Sequence, residues 1–229
     1  AGAIPPRTRH LLKALLERIR DPIAVRSSSL LEDNQVLPFA GIYRTYFLPN
    51  THPDPEVRLF QLEDAIRLVW ASMFYRAPRA YVRNTGYRLD EERMAVIVQA
   101  VAGTRRGDLW YPTFSGVAQS HDVYPFPGIP PEEGGAALAV GLGKAVADGE
   151  RVFPFCPARP AVNPPYATAE EFAANSQSMF WAIDLSQPDV EVRPEEGFSL
   201  VRQPLERAES DGVLGLVASP RIASLRRLA

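Results

Sequence analysis

At 229 residues, with 46% hydrophobic and 23% charged side chains, the chain has material for one large domain or two small ones around an ordinary soluble core. The formal net charge is −2, with basic residues scattered among acidic ones, which argues against a nucleic-acid partner. The lone Cys156 excludes an intrachain disulfide and a Cys/His zinc set, and no apolar run nears the roughly 20 residues of a membrane span, so a cytoplasmic protein with no membrane partner is expected.

The chain opens on Pro5-Pro6-Arg7-Thr8-Arg9, which reads as the middle of a longer protein. Leu11, Leu12, Leu15, Leu16 and Ile19 then recur at helical spacing opposite Lys13, Glu17, Arg18 and Arg20, predicting an amphipathic helix ended by Asp21-Pro22. A short β-branched strand, Ile23 to Val25, runs to a turn at Arg26. From Val57 to Tyr75 the stripe Leu62, Ile66, Val69, Trp70 and Met73 predicts one long helix, with Trp70 and Met73 in the core and Arg58, Glu63, Asp64 and Arg67 solvated. Met94 to Val101 is apolar except for Gln99, the pattern of a strand buried on both faces. A turn at Arg105-Arg-Gly-Asp108 and a return strand from Ser115 to Ser120 follow.

Beyond Gly149 the composition shifts. Proline is dense from Pro154 through Pro165, which predicts an extended connection. Thr168-Ala-Glu-Glu171 has the capping-box form that starts a short helix. Phe180 to Leu185 reads as a strand, as does Val213 to Ala218 after the Asp211-Gly212 turn signal, and Arg221 to Ala229 reads as the start of a helix.

The run Ile23-Ala-Val-Arg-Ser-Ser-Ser29, followed by Pro38-Phe-Ala-Gly-Ile-Tyr-Arg-Thr-Tyr46, has the makings of a phosphate-binding device. A guanidinium offers a planar fork of donors matched to phosphate oxygens, hydroxyls add neutral donors, and a glycine-bearing loop follows closely enough to fold over the ligand. The same residues fit a plainer account, in which Arg26 ends a strand in a surface ion pair and the serines cap a turn.

These two segments resemble the nucleotide-binding domain of phosphoenolpyruvate synthase and pyruvate, phosphate dikinase, where an Ala-Val-Arg-Ser-Ser run precedes a Phe-Ala-Gly loop. Ala65-Ile-Arg-Leu-Val-Trp-Ala-Ser-Met-Phe74, Met94 to Val101, Ser115-Gly-Val-Ala-Gln-Ser120 and Leu138 to Gly149 are similar to the same family in the same order. The resemblance implies an α+β ATP-grasp nucleotide-binding domain, a mixed sheet with flanking helices. Residues 1–150 would form its core, and residues 151–229 the Pro-rich connection and a further α+β part of the same domain.

Roles follow from the resemblance residue by residue. Arg26 takes the place of the family's arginine that contacts the triphosphate, and is the candidate catalytic residue; Ser27 and Ser28 brace it. Gly41 occupies the covering loop, where the missing side chain lets backbone N–H groups approach phosphate, a strand bulge being the alternative. Gln99, Ala100 and Val101 fall where the family reads the adenine edge, mostly through backbone groups. Ser120 ends the family's Gly-Val-Ala-Phe-Ser strand, here with Gln119 for the phenylalanine, and His121 stands in for a basic residue, either holding phosphate or metal or simply solvated. Lys144 stands where many members carry a glutamate; it either attracts phosphate, rather than Mg²⁺ or ribose hydroxyls, or is an exposed helix-start lysine.

The implied activity is that of a dikinase-type phosphotransferase using ATP and Mg²⁺, which passes a phosphoryl group to a histidine carrier in a separate domain and thence to pyruvate or another acceptor. The family's Gly-Gly-Lys-Gly segment, its acidic strand and its Leu-Gln-x-Arg-Pro strand have no counterpart in this sequence, nor do its phosphohistidine and acceptor domains. The chain is therefore expected to be incomplete at both ends and inactive alone. The alternative expectation is a non-catalytic, nucleotide-sensing regulatory module with the same fold.

Overall fold

The computed structural model describes residues 2–29, 32, 41–85, 92–162, 164–195 and 197–217. They divide into two units, one of Ala1–Ala102 with Ile183–Leu200 and one of Gly103–Ala182 with the residues from Val201 onward. The composition change after Gly149 falls inside the second unit.

The first unit starts with α1 (Pro6–Arg18), opened by a proline at the first helical position, where no amide is left unpaired. Leu12 and Leu16 are buried and Leu11 is exposed, so the apolar stripe is narrower than the sequence pattern. β1 (Ile23–Ser29) pairs antiparallel with β2 (Thr45–Leu48) on one side and β3 (Met94–Ala100) on the other. The strand does not stop at Arg26 as expected; its register with β3 continues to Ser29 opposite Met94. The inward hydroxyls are satisfied by Glu32, whose carboxylate accepts from Ser27 at 2.8 Å and whose amide donates to Ser29 at 3.3 Å. α2 (Pro55–Ser72), capped by the Asp54 carboxylate on the Glu56 amide, covers the sheet's inner face. Leu59, Leu62, Ile66 and Val69 meet Ile23, Val25, Tyr46 and Leu48 there.

Trp70, expected in the core, is 38% exposed. It lies about 80° around the helix from the Leu62–Ile66–Val69 stripe, at the rim of the packed face. Arg58 and Glu63, expected in water, are buried. Arg58 donates to Leu16 O at 3.1 Å and to Asn50 Oδ1 at 3.2 Å, placing a cation on the C-terminal carbonyls of α1. Asn50, at φ 57°, donates in turn to Ile19 O and Asp21 O. Glu63 is held by Arg9 at 2.8 Å and Arg67 at 3.3 Å. β3, expected to be buried on both faces, is half-buried, because it is the outer strand of the order β2-β1-β3 and packs into the core only through Met94, Val96 and Val98. A helix absent from the sequence reading, α3 (Arg76–Thr85), follows α2 after three residues.

In the second unit β4 (Thr104–Arg106) and β5 (Leu109–Tyr111) form a hairpin whose two-residue loop places Gly107 at φ 63°, the first-position glycine that a type II′ turn demands. They continue a four-stranded sheet of order β10-β9-β5-β4, with β9 at Met179–Asp184 and β10 at Leu200–Pro204. A three-stranded sheet is built from β6 (Ser115–Gln119), β7 (Gly135–Ala139) and β8 (Phe153–Phe155). The return strand expected at Ser115 thus has β7 as its partner. α4 (Lys144–Ala147) follows β7, and α5 (Ala169–Asn175) has its capping box, Thr168 accepting from the Glu171 amide at 3.1 Å and the Glu171 carboxylate from the Ala167 amide at 2.8 Å. Tyr111 and Phe180, with ring centroids 4.7 Å apart, centre a core that takes in Leu109, Val140 and Leu205 of α6 (Leu205–Ser210). The segment expected as a strand from Val213 is instead α7 (Leu214–Val217). A short apolar run reads equally as strand or helix, and buried Val213 fixes it as one more turn beside α6. Ala218 and the Arg221–Ala229 helix lie outside the described residues.

Asn50→Ala removes two donated hydrogen bonds, strips a buried guanidinium of an acceptor and leaves a side chain at positive φ; it should cost about 2–4 kcal/mol in urea unfolding. Asn50→Gly should cost less, because only the hydrogen bonds are lost.

Two tyrosine hydroxyls hold their protons more tightly than usual: Tyr43 through burial and then the nearby charge of Glu92, Tyr111 through burial and then its hydrogen bond to Asp211 at 2.6 Å. The unfolded chain releases these protons near pH 10 while the native form retains them. Stability should therefore be intact below about pH 10 and fall as the pH rises beyond it, and Tyr43→Phe and Tyr111→Phe should each flatten that fall in chemical unfolding followed across the alkaline range.

Candidate functional site

Residues directly opposite across an antiparallel pair share a sheet face, and successive residues of β1 point to opposite faces, although Ala24 on the outward side is itself buried. Val25 and Ser27 point to the helices; Arg26 points the other way with Thr45 and Ile97 opposite it, Ala24 with Gln99, and Ser28 with Ala95. Arg26 and Gln99 are exposed and Ser28 is half-buried, and none of the three side chains has a hydrogen bond or ion pair among the described residues. One face of the first unit therefore gathers Arg26, Ser28 and Gln99, with Arg26 and Gln99 about 7–8 Å apart on the diagonal of the ladder. Ser27 is not among them. It is buried on the inner face and gives its hydroxyl to Glu32.

The backbone of Gln99, Ala100 and Val101 is also sorted by the ladder. The Val101 amide donates to Pro22 O at 2.8 Å, so by the alternation of antiparallel bonding Gln99 also directs its amide and carbonyl toward β1. Ala100 directs its own to the outer edge of β3. Gly41 sits in a turn at φ 78°, with open space where a Cβ would be, so the left-handed backbone rather than crowding calls for glycine. Pro38, Phe39 and Ala40 of that loop lie outside the described residues. Tyr43, two residues on, donates to buried Glu92 at 3.2 Å.

Ser120, His121 and Lys144 belong to the second unit. Ser120 and His121 are exposed just beyond the end of β6, next to the Asp122 amide that donates to Pro131 O at 2.9 Å. Lys144 starts α4 at the opposite end of that strand, where Gly143 abuts the Ser115 side chain. Five residues of extended chain, about 16 Å, separate the two ends, so the structure does not bring His121 and Lys144 together. Nor is Lys144 the exposed helix-start lysine: its side chain is 21% exposed, paired with Asp148 at 2.8 Å and set over the Trp181 ring at 5.7 Å. Arg202 lies over the same ring at 5.3 Å, and Glu150 accepts from both Trp181 Nε1 and Arg202. Gly141, at φ 82°, has the Trp181 carbonyl 2.7 Å from where a Cβ would stand, so the Gly141-Leu-Gly-Lys144 run is shaped by close packing on β9.

Thr45, the direct partner of Arg26 on β2, escaped the sequence reading. Its signal was its alternation with Tyr46 and Leu48, which marks it as outward on a strand. Among the described residues no three carboxylate, imidazole or thiol side chains gather into a cluster that could hold a metal ion by itself. No helix among them is long and apolar enough to cross a membrane.

No curated protein matches the chain. The family model described as pyruvate phosphate dikinase, AMP/ATP-binding domain, matches residues 2–180, a span that holds every candidate residue from Arg26 to Lys144. The α+β architecture, with its antiparallel β1–β3 ladder backed by α2, is compatible with part of such a domain, and the chain belongs to the pyruvate phosphate dikinase AMP/ATP-binding domain family.

Proposed function

We propose that the outer face of β1 and β3 receives an adenine nucleotide, with Arg26 as the principal phosphate contact, Ser28 and Gln99 as neutral donors beside it, and the outer edge of β3 at Ala100 as the adenine-reading strand. The observation that supports this reading is the set of three polar side chains, placed on one face by the strand register, that have no hydrogen bond or ion pair among the described residues. Arg26 has no counter-ion among the described residues, and a phosphate would supply the opposite charge with bidentate geometry. Gly41 and its loop would close over the phosphates through backbone amides.

In the parent protein this binding would serve a dikinase-type transfer, a phosphoryl group leaving ATP for a histidine in another domain and then passing to pyruvate or another acceptor. Arg26 would orient the phosphates and offset the charge that spreads over the transferred group. A second reading, a nucleotide-sensing module without transfer, draws on Lys144: it stands where relatives carry a glutamate and commits its charge to Asp148 and Trp181.

Titration calorimetry separates the parts. Arg26→Ala should weaken ATP binding at least tenfold, about 1.4 kcal/mol, with the fold intact by circular dichroism; unchanged affinity would remove Arg26 from the site. Ala100→Trp should weaken ATP while leaving inorganic triphosphate binding as it was, and equal loss of both would point to disturbance of the strand rather than to adenine recognition.

A further inference from the structure

The outer surface of α3 carries three arginines and no acidic residue. Arg76, Arg79 and Arg83 fall within about 60° of one another around the helix and span about 10.5 Å of its axis. All three are exposed, the helix contains no acidic residue, and none of the three guanidiniums has a hydrogen bond or ion pair among the described residues. The opposite side of α3 is anchored: Pro78 is buried and Tyr81 packs with Tyr43 and Met94. The arginine side is therefore held outward by the packing and does not rotate away. Beside the arginines, Ala77 and Ala80 are exposed and small enough to admit close approach, and Phe74, just ahead of the helix, is 66% exposed.

We infer that this face of α3 docks an acidic helical segment of a partner protein. Carboxylates at positions i, i+3 and i+7 of such a segment repeat the axial spacings of Arg76, Arg79 and Arg83, about 4.5 and 6 Å, so that each guanidinium can take a carboxylate in its fork. An apolar residue about one turn ahead of the acidic run covers Phe74, which precedes Arg76. Arginine with an exposed aromatic and no lysine is the composition of a protein interface. A nucleic acid is the less suitable occupant: three cations release few counterions, and a chain of net charge −2 supplies no wider field to hold a polyanion.

The probe is a fluorescently labelled peptide of about two heptads, carrying Glu at i, i+3 and i+7 and Leu about one turn ahead of them, followed by anisotropy at low salt against the whole chain. Its Gln-for-Glu counterpart and a single-stranded oligonucleotide of similar length are the comparisons. The acidic peptide should bind, and the triple variant R76Q/R79Q/R83Q should bind it at least tenfold more weakly with a shallower salt dependence, whereas Arg26→Ala should leave it unchanged. Exposed helix positions tolerate glutamine, and the triple lysine variant R76K/R79K/R83K, which keeps the charge and loses the fork, should bind at an intermediate level. Equal binding of the Gln peptide, no loss in the triple glutamine variant, or tighter arginine-dependent binding of the oligonucleotide would overturn the assignment.

Discussion

Antiparallel pairing of β1 with β3 fixes the chemistry of the first unit, because a strand has a period of two and each residue has only one face available. With Val25 opposite Val98 and facing the helices, Arg26 has to face outward; a slip of one residue would bury a guanidinium without a partner and expose Ile23 and Val25. Burying an unpaired charge costs several kcal/mol, and losing two buried β-branched side chains adds about 3 more, so the register is held far more firmly than any single contact could hold it. Glu32 completes the arrangement. It accepts the inward Ser27 hydroxyl and donates its amide to Ser29, which lets a run of three serines continue a strand that would otherwise end.

A second constraint keeps that ladder in place relative to its helices. Arg58 and Asn50 together tie the last carbonyls of α1, the turn at Asp21 and the segment leading to α2, all within the first unit. The carbonyl end of α1 supplies partial negative charge to one Nη of the buried Arg58, while its Nε and other Nη have no partner among the described residues and burial, with Arg20 nearby, disfavours its charged form. The returning segment adds further ties, with Gln61 donating to Pro188 O and Val190 O and Tyr46 donating to Pro194 O. The outward face that carries Arg26 is thus backed by a frame of buried hydrogen bonds, the condition for holding a ligand group without reordering.

The sequence disclosed what periodicity and capping write plainly. The α1 pattern, the Leu62–Ile66–Val69 stripe, the Thr168 capping box and the strand at Phe180 all stand where the residues put them. What it concealed depends on neighbours far along the chain. Arg58 and Glu63 look solvated in a helical wheel and are buried because Leu16 O and Asn50, and Arg9 and Arg67, come to meet them. Trp70 sits at the edge of its stripe, where a wheel cannot decide between core and rim. The outward face of Arg26, Ser28 and Gln99 was half legible: the motif singled out the residues, but only the cross-strand register separates Ser28 from Ser27.

Lys144 shows how the residue type at a helix start decides what the turn before it can do. Its ammonium has a carboxylate four residues on and an indole face beside it, and the same indole carries Arg202 on a Glu150 bridge, so charge in this cluster is balanced locally. A glutamate at that position would lose the Trp181 contact, face Asp148 as a like charge and hold a free acceptor toward solvent. The lysine therefore trades an acceptor for a fastening between α4 and β9.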